Sequence, residues 1–129
     1  MHTRLIEGER VHSIVGAFYT VYEYFSYGLN ENVYSGSLAI ELSDRGHEVV
    51  RELAVEVCYK RRHVAWQRLD LVVDNKVIVE VKTGAVVPPF GPRQLVAYLH
   101  ATPFEVGVLL HFGPQPKFLR YVDYPKKPR

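Results

Sequence analysis

Cysteine is all but missing from this chain of 129 residues: Cys58 stands alone, so no internal disulfide can form. Also missing are a secretory h-region and any apolar run of about 18 residues able to span a bilayer. The expectation is therefore a cytoplasmic protein with no membrane partner. Charge of one sign is scarce too. A formal net charge of +2 and a pI of 8.7 describe a nearly balanced surface, so net charge gives only weak support to nucleic-acid binding. There is no internal repeat, no low-complexity segment and no evident base-reading helix. What remains, 47% hydrophobic and 23% charged residues, is the composition of one ordinary domain over residues 1–129, long enough to bury a core without staples.

Proline is absent from Leu5 to Phe25, and Val11, Ile14, Val15, Phe18, Val21, Tyr22 and Phe25 recur at the three-and-four spacing of an amphipathic helix. A second helix is predicted from Asn30 or Glu31 to Arg45, with Gly46 as its stop. These two helices fill residues 5–45. The period then changes. Leu53, Val55, Val57 and Tyr59 alternate with Ala54, Glu56, Cys58 and Lys60, as a strand with one wet face does. After a basic turn at Arg61-Arg62-His63, strands are predicted over Ala65 to Val73 and Lys76 to Lys82, split by Asp74-Asn75. Pro92 suits the start of a short helix carrying Gln94, Leu95, Tyr98 and Leu99, limited by Pro103. Phe104 to Phe112 and Phe118 to Val122 read as the last strands, which gives a sheet-and-helix core over 49–122 and a basic tail over 123–129. The expected class is α/β (α+β), with three helices and about five strands.

The hairpin between Arg68 and Lys82 admits two registers. A two-residue loop mismatches the faces of the strands. A three-residue loop ending at Lys76 pairs Val73 with Val77, Leu71 with Val79 and Leu69 with Val81 on one apolar face. Burial favours the second, and it sets Asp70 opposite Glu80. Two carboxylates at that range repel unless something positive lies between them. A divalent cation such as Mg²⁺ or Mn²⁺ removes the penalty, because hard cations take carboxylate oxygens, waters and substrate phosphate oxygens. Lys82, two residues past Glu80, points to the same face and can meet an attacking water or a phosphate oxygen. The competing reading makes Asp70, Glu80 and Lys82 the solvent face of an amphipathic hairpin.

Taken together, five ordered segments resemble the GxxExxY proteins of the PD-(D/E)XK nuclease superfamily. They are Ile14-Val-Gly-Ala17, Gly28-Leu-Asn-Glu31-Asn-Val-Tyr34, Arg68-Leu-Asp-Leu-Val-Val73 with Val77-Ile-Val-Glu-Val-Lys82, Gln94-Leu-Val-Ala-Tyr-Leu99, and Gly107-Val-Leu-Leu-His-Phe-Gly113. The resemblance implies a restriction-endonuclease-like core, a mixed central sheet flanked by helices, in which Asp70 and Glu80 hold the metal, Glu31 binds it through water, Lys82 orients water or phosphate, and Gln94 assists positioning. It departs from the family pattern at Tyr22, His111 and Glu52, none of them a proposed ligand.

Structural roles compete at each position. The helix dipole favours Glu31 near a helix start. Gln94 serves equally as a cap, Tyr34 and Tyr98 as packing residues with a polar tip, and Gly28 as a turn. The leading function is a metal-dependent nuclease acting on nucleic acid, with DNA ahead of RNA. The alternative is a catalytically silent nucleic-acid-binding or protein-interaction module, which the run Lys60-Arg61-Arg62-His63 and nine tyrosines would serve as well. Tyr19, Tyr22, Tyr24 and Tyr27 exceed what one core stripe needs, which suggests a homodimer.

Overall fold

The apolar spacing of the N-terminal third and the β-branched runs that follow place the elements in the expected order. The computed structural model describes residues 5–126. Its elements are α1 (Gly8–Phe25), α2 (Glu31–Asp44), β1 (Val49–Tyr59), β2 (Arg62–Val73), β3 (Val77–Thr83), α3 (Phe90–Ala101), β4 (Val106–Phe112) and β5 (Pro116–Val122). They form a five-stranded mixed sheet flanked by three helices, in the order β1-β2-β3-β4-β5. Only β3 and β4 run parallel, joined by α3 as the crossover; the other neighbours are antiparallel.

Helix α1 lays Val11, Ile14, Ala17, Phe18 and Val21, and α2 lays Tyr34, Leu38 and Leu42, over one face of the sheet. That face is built from Leu71, Val73, Val77, Val79, Val81, Val106, Val108, Leu110 and Phe112. Helix α3 covers the other face with Leu95 and Leu99 against Leu69, Val72, Ile78 and Leu109. Strands β3 and β4 are thus buried on both sides, which is why their sequences read as continuous apolar runs.

Several boundaries differ from the sequence reading. Helix α1 starts at Gly8 rather than Leu5, because Glu7 takes a left-handed conformation at φ 56°. Strand β2 starts at Arg62, three residues early. The turn tightens to Lys60 and Arg61, both left-handed at φ 51° and 63°, so Arg62 and His63 join the ladder opposite Tyr59 and Cys58. In the basic tail, Lys126 is docked on Asp123 and the Leu99 carbonyl; Lys127, Pro128 and Arg129 lie outside the described residues.

The three-residue hairpin register holds: Val73 pairs with Val77, Val72 with Ile78 and Leu71 with Val79. Asp74 and Asn75 adopt left-handed φ values of 55° and 52°. The expected Leu69–Val81 rung on the same apolar face is absent. The ladder stops at Leu71, and Leu69 joins Val72 in the α3-side core, so β2 turns over at Asp70. Strand β1 turns over at the position facing it: Val49 packs on the α1/α2 side, Leu53 and Val55 pack on the α3 side, and Glu52 between them is left-handed at φ 53°. The β1–β2 rungs run Arg51↔Leu71 and then Leu53↔Leu69, skipping the Glu52–Asp70 position.

Candidate active site

Where the β2–β3 ladder stops, two carboxylates take its place. The Asp70 backbone N–H donates to Glu80 Oε2 at 3.1 Å, and the Val81 N–H donates to Asp70 Oδ2 at 2.9 Å. Each acid therefore satisfies a backbone donor of, or next to, the other, as buried strand edges require. Asp70 and Glu80 are brought together as the register argument expected. The solvent-face reading falls, because Glu80 is only 3% exposed. Burial first, and Asp70 second, push the Glu80 carboxyl up to about 7; the Asp70 N–H and Lys82 oppose that rise, and Glu31 adds to it.

Lys82 is half-buried, and its Nζ donates to Gln94 Oε1 at 3.0 Å. Close approach of α3 makes this contact available: a Cβ on Gly91 would sit 3.8 Å from the Lys82 stem and 3.1 Å from Leu109, so glycine lets the helix start settle on β3. Glu31 enters from α2. Gly28 turns the chain at φ 114°, Asn30 caps the helix by accepting from the Val33 N–H at 3.2 Å, and Glu31 follows in the first turn. Buried Tyr34 fixes that turn. Its hydroxyl donates to the Ser26 carbonyl at 2.8 Å and accepts from the Leu29 N–H at 3.2 Å, while its ring stacks on Phe112 at 4.0 Å. Although Glu31 lies at the surface, its carboxyl is pushed above the usual range by partial loss of water; Lys82 opposes the shift and Asp70 adds to it.

Two polar side chains beside the acids were not singled out for chemistry in the sequence. Tyr98 lies one helical turn past Gln94, and burial, Glu80 and Asp70 raise its hydroxyl, with Gln94 opposing. Gln67 Nε2 donates to that hydroxyl at 3.0 Å. The Gln94–Tyr98 spacing was the available signal for Tyr98; nothing marked Gln67.

The donor set fits a divalent cation in a two-carboxylate manner. Asp70 and Glu80 each commit one oxygen to a backbone N–H and leave the other with no hydrogen bond among the described residues. Among those residues, no three His, Cys, Asp or Glu side chains converge closely enough to hold an ion together, so Glu31 does not complete a direct three-acid cage. A cavity of about 1090 Å³ lies elsewhere, beside Arg10, His47, Asp74 and Tyr124. It contains none of the proposed catalytic side chains.

A family model described as the PD-(D/E)XK nuclease superfamily matches residues 8–121, most of the chain. Comparison with curated proteins found no match. Among solved structures, the crystal structure of SSO0001 is similar, at 17% identity and a TM-score of 0.53. The similarity covers 93% of this chain and 61% of that one, so the chain spans under two thirds of that structure's length, and the likeness bears on the fold alone.

Proposed function

We propose, from the premise that the chain belongs to the PD-(D/E)XK nuclease superfamily, that it is a divalent-metal-dependent nuclease that hydrolyses phosphodiester bonds, with DNA ahead of RNA. The burial of Glu80 against Asp70 carries the proposal. Beyond the two backbone donors they satisfy, adjoining acids where a ladder could close cost the fold burial and charge repulsion, and a bound cation would offset that cost.

Asp70 and Glu80 would hold Mg²⁺ or Mn²⁺, with Glu31 reaching it through water. When bound, such an ion activates a water and neutralises charge developing on the phosphate. The ammonium of Lys82, steadied by Gln94, binds a phosphate oxygen or the attacking water and stabilises the same charge. The Tyr98 hydroxyl, which feels the charge of both acids, is held by Gln67. Gly28, Glu31 and Tyr34 act as one unit, which supports placing the chain with the GxxExxY proteins.

The test is titration of magnesium and manganese into wild type and Asp70→Ala, read as heat of binding and as cleavage of labelled single- and double-stranded DNA and RNA. Binding and cleavage in wild type, both lost in the variant, are expected. A well-folded wild type that neither binds metal nor cuts any substrate sinks the proposal.

Exposed Trp66 and the cationic turn favour a second reading, a silent nucleic-acid-binding module. Its affinity would survive Asp70→Ala and fall steeply with salt. Exposed Tyr19, Tyr24 and Tyr27 support a homodimer as a further proposal, and a cytoplasmic setting suits all of these readings; no described helix is long and apolar enough to cross a membrane.

A further inference from the structure

Beyond the Glu52–Asp70 turnover, β1 and β2 continue as a two-stranded arm whose outer end has no further layer. Every residue from Cys58 to Trp66 is exposed. Between Val57 and Leu69 there is no acid, while Lys60, Arg61, Arg62, His63 and Arg68 fall within it. The two acids of β1 beside this stretch are already matched, Glu56 by His63 at 2.8 Å and Glu52 by Arg68 at 3.2 Å. Lys60, Arg61 and Arg62 have no ion pair among the described residues.

Cations alone would serve to keep a free sheet edge from pairing with another chain. Apolar exposure on the same ribbon has the opposite effect, and here Trp66 is 65% and Val64 62% exposed, with the His63 ring 5.4 Å from the indole. Trp66 lies opposite Glu56, whose charge His63 meets, and on the same ribbon as cations that make no ion pair among the described residues; an indole in water and such cations on one ribbon match what unpaired nucleic acid asks of a protein, positive charge for the backbone and a flat ring for a base.

We propose that the β1–β2 arm is a docking surface for an unpaired stretch of nucleic acid, with phosphates on Lys60, Arg61 and Arg62 and a base stacked on Trp66. This rests on the reading of nucleic acid as the substrate, and it deepens that reading toward single strands and unpaired ends. The arm leads away from Asp70 along its own strand. At about 3.3 Å per residue, Arg62 stands roughly 26 Å from Asp70, a span of several nucleotides of unpaired strand. Contacts at the tip therefore require substrate well beyond the cleavage point.

Trp66 is the only tryptophan in the chain, so its fluorescence reports the arm directly. The experiment titrates full-length wild type with single-stranded and duplex oligonucleotides of graded length in the presence of a chelator, which separates binding from cleavage. Quenching by single strands is expected, with affinity rising with length until the strand can span the roughly 26 Å between Asp70 and Arg62. For variants that lack the indole, affinity is read from the anisotropy of a labelled oligonucleotide: Trp66→Ala should weaken binding about tenfold, and Trp66→Phe should restore most of it. Replacing Lys60, Arg61 and Arg62 by glutamine should lower the slope of log affinity against log salt by about 2. Unchanged affinity in these variants overturns the proposal. So does binding confined to duplexes, or quenching that follows protein concentration and accompanies a dimer in sedimentation. If wild type cuts nothing with metal while the arm results hold, the nuclease reading fails and this inference stands. If it cuts and the arm variants bind like wild type, the reverse is true.

Discussion

Glu80 shows how one residue can be costly to the fold and useful to the site. Its carboxyl titrates near 7 because it is buried and because Asp70 adjoins it. An acid whose folded pKa is raised holds its proton longer in the folded state, so stability falls as pH rises from about 4.5 to about 7. The melting temperature of metal-free protein should drop across that window, with a ceiling of about 3 kcal/mol on the loss. Glu80→Gln should flatten the profile, and magnesium should stabilise wild type more above the window than below it; thermal melts at a series of pH values check all three. A flat wild-type profile would mean that Glu80 is not the strained group described here. At this scale the sequence was informative where a period of two and the need for burial fixed geometry, as for Asp70 and Glu80. Tyr98 was read as a packing residue because helical periodicity identifies the buried stripe but not which neighbour its hydroxyl will meet.

Among the elements, the β1–β2 hairpin departs furthest from its pattern. Alternation along Leu53, Val55 and Val57 is kept, whereas alternation along Leu69, Leu71 and Val73 implies one continuous face that β2 does not have. Both strands change sides where Glu52 faces Asp70, which for β1 separates Val49 from Leu53. A glutamate carries no signal for a left-handed residue, so the turnover was not legible. Nor was the tight Lys60-Arg61 turn, which lacks the Gly or Asn that usually marks such loops. A non-glycine residue in that conformation costs about 1 to 2 kcal/mol, while the exposed Arg68 pair that Glu52 makes contributes little. Glu52→Gly should therefore stabilise the protein by about 1 kcal/mol, and Glu52→Val should destabilise it; denaturant midpoints of the two variants decide the matter. Equal destabilisation by both would show that the glutamate side chain, not the backbone, matters there.

For the molecule as a whole, Asp74 joins parts distant in sequence. It accepts from Arg10 Nε of α1 at 2.8 Å, from the Glu48 N–H at 2.8 Å and from His47 Nδ1 at 2.7 Å, and Ser13 Oγ lies 2.7 Å from His47 Nε2. The set has the outline of a Ser-His-Asp triad. Ser13, however, sits inside α1, where backbone N–H groups are spent on the helix and none is left for an oxyanion. Its role is to fasten α1 to the hairpin turn. Although burial works against it, hydrogen bonds from His47 and Arg10 lower the Asp74 carboxyl to about 2. That contribution, about 1 to 2 kcal/mol, is present above pH 4 and lost as pH falls from about 4 toward about 2. Asp74→Asn should lower stability near neutrality by that amount and remove this part of the acid transition, measured by circular dichroism with acid titration; an unchanged acid midpoint and stability would refute it. The order of elements and the rungs from Leu71–Val79 to Val73–Val77 were legible in the apolar runs, and the mixed sheet through the family resemblance. The Asp74 junction was not, because it depends on three segments meeting in space.

The interrupted ladder also bears on how such a protein can change over generations. The rungs given up at Asp70 and Glu80 could be regained by two β-branched residues, which would close the strands and relieve the buried charge. Mutation therefore has a short downhill route to a sturdier, inert descendant. A lineage that keeps both acids holds that position against its own stability, and only continued use of the site supplies a reason to do so.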